Sequence, residues 1–540
     1  MVKQRPINRF MKKRNLLFAA IFAMVTFAGL SVKAQDSVFS YTYQGTTLYY
    51  IINSNQQARV VPPLYPHSHW NADSTEYSTW YGYAKPQGDV VVPDTVVFNG
   101  EHYPVVAVGN KAFLYCDSVT SVTLPATVNR LGKYAFGYCS LESITMPSVT
   151  SIDSCCFYYA SSLTSADIPS GVTMLPYLCF NHCASLQSVT LPESLTTIGA
   201  AAFQWCTALQ SITIPESLIS IKHHGFFRCT TLQSITLPDN LTSIEDLGFF
   251  GCTSLQSVNL PNNLTTLGYG AFCYCDNLQS IDIPGSVSDI GDCCFYQCRG
   301  LVNITLHEGT ETIGYCAFRE CYNLTTINYP STLVEIGDFS FQYDTSLASP
   351  LILPEGFTYI GLVAFGDCSS MVTASLPGSI GEVSDQVFWG CTSLTTVTIE
   401  EGITAIGGAA FYDCPNLDTV FVNCIVPPSL GTLADSVFNT YNATIIVPCG
   451  SQNAYMNDPI WGYFSEIVED CGVGIEEANM PNFTIRVANS CIVVDSAEGE
   501  IVRVFDISGR QVNNSGLSNG VYIVKVGNYP AKKVVVSPTM

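Results

Sequence analysis

A phenylalanine recurs along this chain at a nearly constant interval. It stands at Phe113, Phe136, Phe157, Phe180, Phe203, Phe226, Phe249, Phe272, Phe295, Phe318, Phe341, Phe365, Phe388 and Phe411. Eleven of the thirteen intervals are 23 residues; the other two are 21 and 24. A fixed period of roughly 20–50 residues marks a solenoid, because one such unit cannot bury its own apolar face and must stack on copies of itself. Solenoids present long surfaces, so contact rather than chemistry is the function to expect.

One copy reads Phe203, Cys206, Leu209, Ile212, Ile214, Pro215, Leu218; the next reads Phe226, Cys229, Leu232, Ile235, Leu237, Pro238, Leu241, Ile244. The alternation at Ile212 and Ile214 predicts a strand. The proline after it ends that strand, since it has no N–H for a ladder. A turn is expected next, often Ile-Gly, as in Ile198-Gly199, Ile290-Gly291, Ile313-Gly314, Ile336-Gly337 and Ile406-Gly407. A compact Ala-Phe segment then leads back to the cysteine. Strands of adjacent coils lie ~4.8 Å apart, so fourteen coils give a rod on the order of 65 Å long.

The pattern Cys-x-x-Leu-x-x-Ile-x-Leu-Pro-x-x-Leu-x-x-Ile-Gly-x-x-Ala-Phe-x-x-Cys resembles the 23-residue leucine-rich repeat of BspA-like bacterial surface proteins, over 105–424. The resemblance implies a leucine-rich-repeat solenoid: a parallel β ladder of about 14 coils, one strand per coil, with short or helical turns between. It also implies adhesion to host matrix proteins or to other bacteria. The copies depart from the pattern where Ala160 and Asp344 replace the cysteine, where His307 and Glu400 replace the proline, and in the short repeat from Phe136.

The ends differ from the body. Residues 1–34 have a basic leader (Lys3, Arg5, Arg9, Lys12, Lys13, Arg14), an apolar run from Leu16 to Leu30 and small residues at Val32-Lys33-Ala34. These predict a secretory signal peptide cut near Ala34. Residues 35–104, rich in Tyr, Trp and Pro, are expected to cap the first coil. Residues 425–471, with Trp461 and Phe464, are expected to cap the last, and 472–481 reads as a linker. From 482 to 540 the alternation of Phe483–Val487, Ile492–Val494, Ile501–Ile507, Val521–Val526 and Lys533–Val536 predicts a small β-sandwich. The string Val504-Phe505-Asp506-Ile507-Ser508-Gly509-Arg510, followed by Gly520-Val521-Tyr522-Ile523-Val524-Lys525, resembles the C-terminal sorting domain of the type IX (Por) secretion system. That resemblance implies that an export machine reads the tail.

Charge narrows the partners. The chain holds 22 Lys and Arg against 44 Asp and Glu, a net of −22. Loss of 1–34 removes seven basic residues and no acidic one, giving 15 against 44 and a net of −29. Such a surface repels phosphate backbones, so nucleic acid is not an expected partner. Beyond the leader no apolar run has the length of a membrane span.

No catalytic constellation stands out, and neither cofactor nor metal is expected. Twelve of the 23 cysteines keep the clock: Cys116, Cys139, Cys183, Cys206, Cys229, Cys252, Cys275, Cys298, Cys321, Cys368, Cys391 and Cys414. Stacked Cβ atoms point the same way, so these read as buried thiols rather than bridges. Cys293-Cys294-x-x-x-Cys298 has the look of a zinc cluster, but Cys294 and Cys298 hold repeat positions. Gly516-Leu517-Ser518-Asn519-Gly520 matches a nucleophile elbow in letters only, since a strand rather than a helix follows. The pairs His67/His69 and His223/His224 lack a helix-spaced partner.

Two surfaces are candidates for binding. Strand residues between inward apolar ones point outward, giving a sheet of hydroxyls that includes Ser188, Thr190, Ser211, Thr213, Ser234 and Thr236. Such a sheet suits a protein edge or a glycan. The residue before the ladder cysteine is often aromatic (Tyr115, Tyr138, Tyr159, Trp205, Tyr274, Tyr343), which predicts an aromatic stripe. A secreted, non-enzymatic cell-surface protein that binds host or bacterial surface proteins is the leading reading; a glycan-binding module is the alternative.

Overall fold

A computed structural model describes residues 37–65, 69–70, 77–431, 437–471 and parts of 484–536. The expected signal peptide, the linker and the turn at Ser508-Gly509-Arg510 lie outside the described residues. The repeat builds a parallel β-solenoid of about 16 turns.

Each coil has three sides. The first is the alternating strand. Ser234–Thr236 pairs in parallel with Ser257–Asn259, Ser234 facing Ser257 and Thr236 facing Asn259. Ile235 between them is buried because the strand's odd and even side chains leave by opposite faces.

The second side is also a strand. Nine two-residue strands, from Met174–Leu175 to Tyr359–Ile360, form one parallel sheet in which Thr197 faces Ser220 and Ser220 faces Ser243. The Ile-Gly segments therefore belong to a second ladder, and the expectation of one strand per coil is corrected to two. A two-residue strand carries one inward side chain, so it has no alternation to be read.

The third side is the Ala-Phe segment. Its phenylalanines form one interior column from Phe113 to Phe411. Successive ring centroids are 5.0–5.9 Å apart and successive planes lie within 15°. The backbone here alternates. Residues two before and two after each phenylalanine have positive φ, as at Ala201 (55°) and Trp205 (63°) around Phe203. This conformation costs a residue with a Cβ roughly 1–2 kcal/mol. In return Ala201, Phe203 and Trp205 each donate their N–H to the next coil, to His223, Gly225 and Phe227 carbonyls at 2.8–2.9 Å.

All twelve clock cysteines are buried and unbridged. From Cys183 onward each of them donates its thiol to the carbonyl of a ladder phenylalanine one coil back, at 3.1–3.3 Å, as Cys229 does to Phe203. Cys139 instead reaches the Cys116 carbonyl. The cysteine is thus a small apolar plug whose weak donor finds one acceptor.

Both ends join the stack. Gly88–Val91 pairs in parallel with Val119–Thr123, and Ala58–Val61 with Glu101–Val108. Past 424, Phe438 stacks on Phe411 at 5.3 Å, and Thr419–Val422, Thr444–Pro448 and Glu466–Asp470 continue one parallel sheet. The final coil is covered by fully buried Tyr455 and Trp461, whose polar atoms donate to the carbonyls of Cys424 (2.7 Å) and Pro428 (2.9 Å). A disulfide, Cys449–Cys471, which the repeat pattern did not foretell, ties the last two strands.

In the tail, Thr484–Ala488 and Cys491–Asp495 form an antiparallel pair. Gln511–Val512, Val502–Asp506, Gly520–Val526 and Lys532–Val536 form a four-stranded antiparallel sheet in that order. These strands match the alternation read from sequence, apart from Gln511–Val512, which is too short to signal itself.

Candidate binding surfaces

The hydroxyl sheet is on the outside. Ser188, Thr190, Ser211, Thr213, Ser234 and Thr236 are all exposed, while Val189, Ile212 and Ile235 between them are buried. Ser211 bridges to Ser234 in parallel, so the hydroxyls line up from coil to coil. Among the described residues only Thr190 of these six donates its hydroxyl to a protein partner, the Asp167 carboxylate at 2.8 Å.

A further column lies beside them. Gln187, Gln210, Gln233, Gln256 and Gln279 are exposed, each immediately before the serine of its strand. Their backbones are linked from coil to coil, Gln233 to Gln210 and Gln256 to Gln233. Over the coils of Gln187, Gln210 and Gln233 the face is therefore a grid of amides and hydroxyls read as Gln-Ser-x-Thr, which Asn259 and then Asp282 continue in the place of the threonine. Their 23-residue spacing was a usable signal, hidden because a polar residue at a strand's start has no pattern of its own.

The aromatic stripe divides into a continuous part and scattered members. Tyr115 stacks on Tyr138 (4.7 Å), Tyr138 on Tyr159 (4.9 Å), Tyr159 on His182 (4.1 Å) and His182 on Trp205 (5.6 Å). The Arg228 guanidinium lies 4.9 Å from the Trp205 ring and ends the run. His182 and Arg228 thus complete a column that is often, but not always, aromatic. Burial lowers the pKa of His182, which keeps its ring neutral and stackable. Gly251 then leaves the column without a side chain, and Tyr274 meets Phe250 and Tyr296 edge-on instead. Tyr343 stands apart, with Arg319 at 5.6 Å from its ring. All six predicted aromatics are half-buried.

Stacking decides what this column can do. Each internal ring uses its faces on its neighbours, and Tyr158 packs at an angle against Tyr138 (5.5 Å) and Tyr159 (4.8 Å). A sugar that stacks on an aromatic face finds no free face within the run from Tyr138 to His182.

A third feature lies on the second ladder. A groove of about 600 Å³ is lined by Asp289, Asp292, Glu335, Asp338, Tyr315 and Tyr359, among others. Two of its carboxylates serve the backbone: Asp292 accepts the Tyr315 N–H at 2.8 Å and Asp338 the Leu362 N–H at 2.8 Å. Hydrogen bonds from Ser288 and Thr312 hold Asp289 below the usual carboxylate range.

The zinc-like cysteine string does not converge. Cys294 and Cys298 are buried in the interior, and the Cys298 thiol is donated to Phe272. Cys293 stands half-exposed in another column. His223 lies against Glu245 (3.1 Å) and Asp246 (3.5 Å), whereas His224 has a left-handed backbone and packs toward Phe227. The letters of the elbow motif fall mostly outside the described residues, and Gly520–Val526 after them is a strand.

The profile of the BspA type leucine-rich repeat region, in six copies, matches residues 106–233, 219–348 and 334–454. The chain belongs to the BspA-type leucine-rich repeat family. The BspA-type solenoid also matches solved structures. A leucine-rich repeat protein from Bacteroides ovatus is 24% identical, with a TM-score of 0.52 over 72% of this chain and 94% of that one. A leucine rich cell surface protein from Faecalibacterium prausnitzii is 23% identical, with a TM-score of 0.40 over 72% and 95%. The pneumococcal vaccine antigen PcpA is 14% identical, with a TM-score of 0.40 over 81% and 100%. No curated protein matches the chain. No helix among the described residues is long and apolar enough to cross a membrane.

Proposed function

We propose that this BspA-type chain is an exported, non-enzymatic cell-surface protein that binds proteins of host or bacterial surfaces through its Gln-Ser-x-Thr face. The observation that carries this reading is the grid of exposed amides and hydroxyls, repeated in register over neighbouring coils. Such a grid offers many weak, additive hydrogen bonds to a partner's backbone or polar side chains, and its low charge removes a desolvation barrier. The family, whose repeats lend themselves to binding, supports the same reading. The glycan alternative is less favoured because the aromatic rings spend their faces on one another.

On this reading residues 1–34 are the export signal, 35–104 and 425–471 close the two ends of a 105–424 body, and 482–540 is a β-sandwich that carries sorting information. Fractionation of cells making the chain with and without 480–540 tests the tail; an unchanged surface fraction removes it from export. The binding face is tested with a panel of matrix and bacterial surface proteins beside a glycan array. The double variant Ser211→Arg, Ser234→Arg is expected to lower protein binding at least ~10-fold with stability within ~0.5 kcal/mol of the parent. Binding of a glycan alone, or protein binding untouched by the variant, overturns the assignment.

A further inference from the structure

The column two residues before each ladder phenylalanine holds cysteine in two successive coils, Cys293 and Cys316. Both have a left-handed backbone, φ 54° and 53°. The Cys293 N–H donates to the Tyr315 carbonyl at 2.7 Å, which fixes the two coils side by side at this point. Two residues on, the Phe295 and Phe318 rings are 5.3 Å apart. A separation of one coil falls in the ~4.4–6.8 Å Cα range that a disulfide spans. The shared direction of stacked Cβ atoms opposes a bridge, yet the fold closes one between adjacent coils elsewhere: Cys449 and Cys471 follow the paired residues Pro448 and Asp470 and have Cα atoms 4.3 Å apart.

The surroundings differ from those of the clock cysteines. Cys293 is half-exposed, whereas Cys316 is buried. The Cys293 thiol, then the Tyr315 hydroxyl and the Arg319 guanidinium, bring the Cys316 thiol down to about 7 against the opposing effect of burial. Cys293 is pushed up, chiefly by donating to Cys316. Tyr269 flanks Cys293 on the other side. The pair therefore begins to lose its first proton near neutral pH, and Cys316 is the side from which it leaves. By contrast burial raises the clock cysteines, as at Cys229 and Cys275, so they stay protonated.

We propose that Cys293 and Cys316 are a redox-active dithiol site, which a small-molecule disulfide converts into a bridge between adjacent coils. The half-exposed Cys293 sulfur, its proton passed to Cys316, attacks one sulfur of the oxidant. A mixed disulfide forms and one thiolate leaves. Cys316 then gives its proton to that thiolate and attacks the Cys293 sulfur, releasing the second thiolate, which takes up the proton lost from the pair. Two cysteines are oxidised by two electrons, and one disulfide is reduced to two thiols.

The test uses the reduced full-length chain and oxidised glutathione at pH 7, with thiols blocked at intervals and linkages mapped by mass spectrometry. A Cys293–Cys316 linkage is expected at least ~10-fold sooner than any change at Cys229 or Cys275. Cys316→Ser is expected to accumulate glutathione on Cys293, and Cys293→Ala to leave Cys316 as a thiol. A linkage of Cys293 to the neighbouring Cys273, or oxidation no faster than at the clock positions, overturns the proposal. The wild-type mapping stands without the variants, and it is independent of whether the Gln-Ser-x-Thr face binds protein.

Discussion

The slot three residues after each ladder phenylalanine is filled in contrasting ways in two regions of the solenoid. From Cys183 to Cys321 it holds a thiol that donates to one carbonyl and asks for nothing more. In the coil of Phe341 it holds Asp344, also fully buried. Asp344 accepts the Cys321 N–H at 2.8 Å through one oxygen, while its other oxygen has no partner. The Gln342 side-chain oxygen and the Tyr329 hydroxyl are likewise buried without partners. Burial pushes the Asp344 carboxyl well above its usual range. The contrast teaches that the slot takes a thiol, or the bare methyl of Ala160, without leaving a polar atom unmatched, whereas a carboxylate brings an acceptor that the interior does not satisfy.

The largest expected effect breaks the regular region. Phe226→Ala removes one ring from between Phe203 and Phe249 and leaves a cavity in a column that cannot collapse, because its coil spacing is set by backbone ladders. A loss of about 3–5 kcal/mol is expected in urea unfolding. A loss under ~1 kcal/mol would show that the rings do not bear on one another.

Asp344→Asn sharpens the comparison from the irregular side. The folded carboxyl has a raised pKa, so the fold favours its protonated form. Below the unfolded value, ~3.9, both states are neutral and no penalty exists. As pH rises above that value the unfolded chain ionises, and the folded state loses relative stability at up to ~1.4 kcal/mol per pH unit until the folded pKa is reached. The variant is expected to remove that slope and to be more stable than the parent at pH 7. Urea midpoints at several pH values measure this; parallel curves for the two proteins would refute it. The smallest effect is expected for Cys229→Ala, about 1–2 kcal/mol from one lost donor and a small void.

Legibility followed the same division. The interior columns were plain in the sequence because apolar side chains at fixed intervals have few other uses, and Phe113 to Phe411 announced themselves. The hydroxyls at Ser211 and Thr213 could be placed outside because Ile212 and Ile214 had to be inside. The second ladder at Thr197–Ile198 was not legible, since its pairing is made of backbone. Nor were the left-handed positions, where Tyr115, Trp205 and Arg228 stand in a conformation that favours glycine. Gly251, Gly270 and Gly390 at equivalent positions were the only trace of it.

By itself the sequence determined the period, the residues that face inward and the net negative charge, because burial of apolar surface and summed charge depend on composition and spacing. Only the tertiary structure decided that rings from Tyr115 to Trp205 spend their faces on each other and that Cys449 meets Cys471. Those outcomes depend on which atoms successive coils bring within a few ångströms, and that distance is set by backbone hydrogen bonds between coils.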